Sequence, residues 1–400
     1  MTALLAYLNQ RFVGLPTAIG VMAIALGASL MLVGLDTIGV LPSLHAYEQG
    51  LLRRLDFTAV IMQGMLSLLL FAGALHVDLS ELKALRWPVG LLAVFGTLAS
   101  TMIVAFALWW LLPFVGLPLP LLHCLLFGAL ISPTDPIAVM GILKSAQAPQ
   151  SLEIVIAGES LFNDGVGVVV FSLLLGVLLS GHTPSVGEGA LLLFREAGGG
   201  VAFGLALGYV TFRLLRSIDH YQVEVLITLA AVMGGYTLAT HLHVSGPLAM
   251  VVTGLMIGNH GRALAMSDAT RHHVDLFWEL IDEILNAVLF VLLGLEVTMV
   301  HFNGGVAPAA VVAVVLTLAA RSLTVGLPMT LWRRFGLPSG AWKVLAWGGL
   351  RGGISVALAL SLPAGRERDI LVAFTYCVVA FSILGQGLTI GHVVRRMLRR

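Results

Sequence analysis

Apolar residues run along this chain in blocks of about twenty, divided by short connections that carry most of its charge. A helix of ~20 residues covers the ~30 Å hydrocarbon layer of a bilayer, so each block reads as one membrane span. Twelve blocks can be drawn. They predict spans near 17–34, 55–76, 88–112, 120–142, 152–180 and 195–215, then 221–241, 244–259, 275–300, 305–330, 341–362 and 369–391. No long polar linker separates them, which predicts a single all-α polytopic membrane domain over 1–400.

Two of these blocks carry breaks in their pattern. The fourth contains Ser132-Pro133-Thr134-Asp135-Pro136. Each proline removes a backbone donor and clashes with the turn before it, so the helix should open there. The eleventh contains Gly348-Gly349-Leu350-Arg351-Gly352-Gly353. Opened backbone at membrane depth is tolerated only when buried in protein or lining a wet cavity. The two blocks are an odd number apart, so their helices run in opposite directions, as inverted repeats require. Interrupted spans in corresponding places of two halves point to a transporter binding site.

A third polar stretch lies inside the fifth block, where Gly158 to Gly167 reads Gly-Glu-Ser-Leu-Phe-Asn-Asp-Gly-Val-Gly. Glu159 and Asp164 are therefore carboxylates at membrane depth, costly to keep there without a use. Ser160 and Asp164 share one helix stripe and Glu159 and Asn163 the next. The first stripe offers a hydroxyl and a carboxylate, oxygen ligands suited to a small hard cation. The second can face elsewhere. Arg321 and Arg351 are the two basic residues well inside spans, and pairing Glu159 with either would leave Asp164 for the ion. A proton and a cation competing for one carboxylate, in a site opening to each side in turn, is enough for exchange. With Asn163 beside it and not a second acid, one proton against one monovalent cation moves no net charge. The arrangement predicts electroneutral exchange.

Composition sharpens the class. The chain is 58% hydrophobic and 11% charged, with a mean hydropathy of +0.98. Soluble domains carry ~25% charged residues, so no sizeable aqueous domain is expected. A net charge of +1 suggests no nucleic-acid partner. Of the 22 Lys and Arg, fifteen fall in connections on one face of the predicted topology and five on the other. The excess marks the cytoplasmic face and places both termini there. Cys124 and Cys377 lie within apolar blocks and imply neither a disulfide nor a metal site. Gly200, Gly204 and Gly208 form a smooth helix face, suited to close helix packing or to a dimer contact. Glu279, Asp282 and Glu283 could draw cations toward the ninth span. His241, His243, His272 and His273 fall in connections.

Other chemistries fit poorly. Ser160 lacks the second glycine of a nucleophile elbow, no span offers His-Glu-x-x-His, and no enzyme is expected. A channel would need a filter or ring of ligands. No cofactor is implied; sodium and protons would be cargo, with potassium as the alternative cation.

The motifs Ser132 to Pro136, Gly158 to Gly165, Ser217 to Glu224, Phe277 to Asn286 and Gly348 to Gly353 together resemble the bacterial sodium/proton antiporters of the first cation/proton antiporter family, in its P-type group. The resemblance implies an inner-membrane homodimer in which a core bundle, about 86–180 and 305–391, moves against a dimer bundle, about 17–77 and 195–300. It implies sodium, or lithium, held by Asp164, Ser160 and the Thr134 carbonyl. Asp135 and Asn163 would steady the site, Glu159 would pair with Arg321, and Arg351 would belong to the crossing of the broken helices. There are two departures. Ala72 stands where some relatives carry a glutamate, and Met1 to Gln10 resembles only the last part of an extra first helix.

Overall fold

A computed structural model describes residues 1–37, 64–181, 185–296, 305–331, 337–338 and 340–398. Among these, helices occur where hydropathy placed them. They are α1 Thr2–Val13, α2 Thr17–Thr37, α3 Leu66–Leu75, α4 Leu79–Ala84, α5 Arg86–Val115, α6 Leu121–Ile131, α7 Ile137–Ser145 and α8 Gln150–Ser180. There follow α9 Val186–Leu215, α10 Tyr221–His241, α11 Gly246–Met256, α12 Asp268–Glu296, α13 Val306–Leu331, α14 Ala341–Trp347, α15 Gly353–Leu360 and α16 Arg366–Met397. The start of the second predicted span lies outside the described residues, as do Arg53, Arg54, Arg333, Arg334, Arg399 and Arg400. Six of the described helices are each long and apolar enough to cross a bilayer, and α1 with α2 forms a further pair bent by 105°. The N-terminal stretch is thus a short helix that turns sharply into the first predicted span.

Two helices begin earlier than hydropathy suggests. Ser185 caps α9 by accepting from the Glu188 N–H, while the Glu188 carboxylate accepts from the Ser185 N–H. This reciprocal cap supports a first turn too polar to register as membrane. In α12 the overhang Asp268 to Asp275 is helical and tied by an ion pair between Arg262 and Asp275. Glu279 and Glu283 are therefore exposed residues well inside a helix rather than at its start.

The chain divides into two compact units, one of Met1–Ile61, Leu98–Glu153 and Asn286–Arg400, the other of Met62–Thr97 and Ile154–Leu285. In the second unit, α9 and α11 touch backbone to backbone. A methyl group added at Gly200 would lie 2.7 Å from the Ser245 carbonyl oxygen, one at Gly204 2.7 Å from that of Ala249, and one at Gly208 2.9 Å from Met256 Sδ. Thr253 Oγ1 donates to the Gly204 carbonyl across the same seam at 3.1 Å. The glycine stripe serves helix packing, and nothing larger would let the seam close. On the other side of α11, a methyl at Gly254 would lie 2.7 Å from the Phe71 carbonyl oxygen of α3. Phe71 stacks at a tilt on Trp278, 4.7 Å between ring centroids, and Trp278 Nε1 donates to Thr228 Oγ1 at 3.1 Å. A buried indole with its N–H satisfied anchors α3, α10 and α12 at one point.

Candidate ion-exchange site

The unwound segments lie in the first unit. Helix α6 stops at Ile131 and α7 begins at Ile137; α14 stops at Trp347 and α15 begins at Gly353. Each stop falls where proline or glycine predicted it. The two gaps meet: the Asp135 N–H donates to the Leu350 carbonyl at 2.8 Å in an isolated antiparallel bridge. Breaking a helix orphans backbone groups, and each must find a partner when water is excluded.

Arg351 supplies several of those partners. Its Nη1 donates to the carbonyl of Pro133 at 2.7 Å and also to that of Ser132, the groups that α6 exposes where it ends. The side chain is 2% exposed. A guanidinium suits the task, because its donors are fixed in a plane and its charge never leaves. Its backbone is held in turn: the Arg351 N–H donates to Ser382 Oγ at 2.8 Å, Ser382 Oγ donates to Gln386 Oε1 at 2.9 Å, and Gln386 Nε2 donates to the Trp347 carbonyl at 2.9 Å. Ser382 and Gln386 thus bind both ends of the second break from a wide turn of α16, Phe381–Gln386. Sequence inspection passed over this pair. Its one signal is two polar residues four apart in an apolar span, a pattern that an ordinary helix also shows.

Asp135 turns its carboxylate back on its own chain, where Oδ1 accepts from the Ile137 N–H, the first of α7, at 2.9 Å. Thr134 is buried beside it. Ser132 Oγ donates to the Gly128 carbonyl at 2.6 Å and accepts from Thr101 Oγ1 at 3.2 Å, fastening the end of α6 to α5. Arg321 reaches from α13 to the eleventh span, its Nη2 donating to the Leu345 carbonyl at 3.0 Å. A methyl at Gly349 would lie 3.0 Å from the Arg321 guanidinium carbon, so the break passes close over this side chain.

The acidic stripe lies in the second unit, on α8. Glu159, Ser160 and Asn163 are 1%, 2% and 1% exposed, while Asp164 is half-buried. Small residues set this helix close to its neighbours: methyl groups added at Gly158 or Gly165 would lie 3.1 Å from Val89 and 3.0 Å from Leu248. The departure at Ala72 is a fully buried methyl on α3. Glu224, in the motif Ser217 to Glu224, is buried in the first turn of α10.

Two helices opened at membrane depth, crossing through a backbone bridge and capped by a buried arginine, define a secondary transporter of the broken-helix class. The comparisons narrow the class. A family model described as sodium/hydrogen exchanger, transmembrane, matches residues 1–396. The Na(+)/H(+) antiporter NhaP of Pseudomonas aeruginosa is 55% identical over 99% of this chain and 95% of its own. The Na(+)/H(+) antiporter NhaH of Halobacillus dabanensis is 36% identical over 92% and 91%. The solved sodium proton antiporter MjNhaP1 of Methanocaldococcus jannaschii superposes with a TM-score of 0.72 over 96% of this chain and 99% of its own, at 20% identity, a likeness of fold. The chain belongs to the sodium/hydrogen exchanger family: it is a membrane transporter, not an enzyme.

Proposed function

We propose that this exchanger trades one sodium, or lithium, for one proton, with Asp164 as the carboxylate that both ions occupy in turn. Ser160, four residues back on the same stripe, and the Thr134 carbonyl are the further ligands. Asp135 and Asn163 steady the surrounding backbone, Glu159 pairs with Arg321, and Arg351 holds the crossing. The observation that supports this division most directly is exposure: of the four polar residues at 159, 160, 163 and 164, Asp164 is the one that is not buried. A group that must receive ions from water has to be reachable, and a group that holds the scaffold does not.

The relatives named above are Na(+)/H(+) antiporters, which supports sodium over potassium as cargo. The excess of Lys and Arg on one predicted face supports cytoplasmic termini. We place the protein in the inner membrane as a homodimer, with the bundle of about 86–180 and 305–391 carrying the ion.

Reconstituted vesicles with an imposed pH gradient test the reading. Sodium and lithium should dissipate the gradient and potassium should not. The rate should ignore an applied potential, whereas two-for-one exchange would feel about 2.3 kcal/mol per 100 mV. Asp164→Asn should insert normally and lose exchange entirely; wild-type exchange in that variant sinks the assignment.

A further inference from the structure

Helices α13, α14 and α16 of the first unit leave a groove of about 730 Å³ between them. Its walls include Leu318, Trp342, Trp347 and Met397, and the charged groups along it are Lys343 and Arg396. Among the described residues, no carboxylate lines it. Both cations are exposed and sit at helix ends: Lys343 is the third residue of α14, and Arg396 lies in the last turn of α16. They therefore lie at one membrane–water boundary. The Lys343 ammonium is held 5.8 Å over the Trp342 ring, a cation on an aromatic face at the depth where tryptophan favours lipid headgroups.

The groove is apolar as well as charged, and its α13 wall is deep. Leu318 lies thirteen residues before the end of α13, which is about 20 Å along the helix. One end of the groove is thus at the headgroup layer and the other well inside the hydrocarbon. Beside it on α13, Leu323 and Leu327 are exposed to the bilayer. A free phosphate would be served by the cations alone and gain nothing from the apolar walls formed by Leu318, Trp342, Trp347 and Met397. An occupant with an anionic head and a hydrocarbon chain uses both.

We propose that this groove is a binding site for one anionic phospholipid, its phosphate between Lys343 and Arg396 and an acyl chain lying along Trp342 toward Leu318. The site has a mechanical role. Helix α14 forms one wall and ends at Trp347, whose carbonyl accepts from Gln386 at the start of the second break. A seated lipid braces the half-helix from its outer side while Gln386 holds its end.

Native mass spectrometry of the full chain in detergent tests this with phosphatidylglycerol and phosphatidylcholine of matched chains. The wild type should retain phosphatidylglycerol preferentially. Lys343→Ala with Arg396→Ala should weaken that retention about 30-fold, close to the phosphatidylcholine level, while Lys343→Arg with Arg396→Lys should keep it. Inorganic phosphate should not displace the lipid. Leu318→Trp fills the apolar wall without touching either charge and should also exclude it, which covers failure of the alanine variant to fold. Equal retention of the two lipids, undiminished binding in either variant, or displacement by inorganic phosphate would each overturn the proposal.

Discussion

Gly352→Ala is a one-methyl change at the crossing, and its consequences can be worked from the geometry. Gly352 has φ −117° and ψ −163°, extended backbone that any residue adopts, so the glycine is not there for conformational freedom. It is there for space. A methyl group would lie 2.8 Å from Asp135 Cβ and 2.9 Å from its Cγ, well inside van der Waals contact. Overpacking of a tight interior costs about 1–3 kcal/mol. Moving Asp135 also endangers its 2.9 Å bond from the Ile137 N–H, which adds roughly 1–2 kcal/mol by leaving a partly buried N–H short of its acceptor. The expected loss is roughly 2–5 kcal/mol, with exchange falling because the first break can no longer sit against the second. Gly141→Ala is the matched control. It makes the same change in α7, where nothing lies within 4 Å, and should be neutral or stabilise by about 0.5–1 kcal/mol. Reversible unfolding in mixed micelles measures both, and proteoliposome exchange reads the functional arm. Equal stability and equal transport in the two variants would refute the claim that Gly352 is required for close approach.

Two further outcomes follow from the same contacts. Ser382→Ala removes the acceptor of the Arg351 N–H and the donor to Gln386, so unfolding should become easier by about 1–3 kcal/mol; unchanged stability would mean that the chain of bonds through Ser382 is not holding the break. For the proposed Glu159–Arg321 pair, losing either partner should cost about 3–5 kcal/mol, and the exchanged double variant should recover part of it in the same unfolding assay. A double variant no better than the worse single one counts against the pairing.

The two breaks were legible because proline and glycine act on their own backbone. Pro133, Pro136 and the glycines around Arg351 open a helix whatever surrounds them, and the structure opens both helices there. The polar island on α8 was equally plain, since a carboxylate in a membrane-length helix stands out against its neighbours. Hidden were the groups whose meaning depends on something distant. Ser382 and Gln386 acquire a role only because the second break comes to rest against α16. Helix starts were misplaced for a related reason: Val186 and Asp268 begin turns too polar to register as membrane, held by a cap and an ion pair and not by apolarity. The glycine stripe at Gly200 to Gly208 allowed two readings until α11 was found lying in it.

Arg351 has a consequence for biosynthesis. The carbonyls it satisfies, at Ser132 and Pro133, precede it by 219 and 218 residues. At ~5–20 residues per second, those groups enter the membrane about 10–45 s before the arginine exists. The Asp135 N–H waits equally for Leu350. During that interval the first break is an opened helix in a medium that offers no substitute partner, and a nascent chain stopped short of the eleventh span should be a preferred target for membrane quality control.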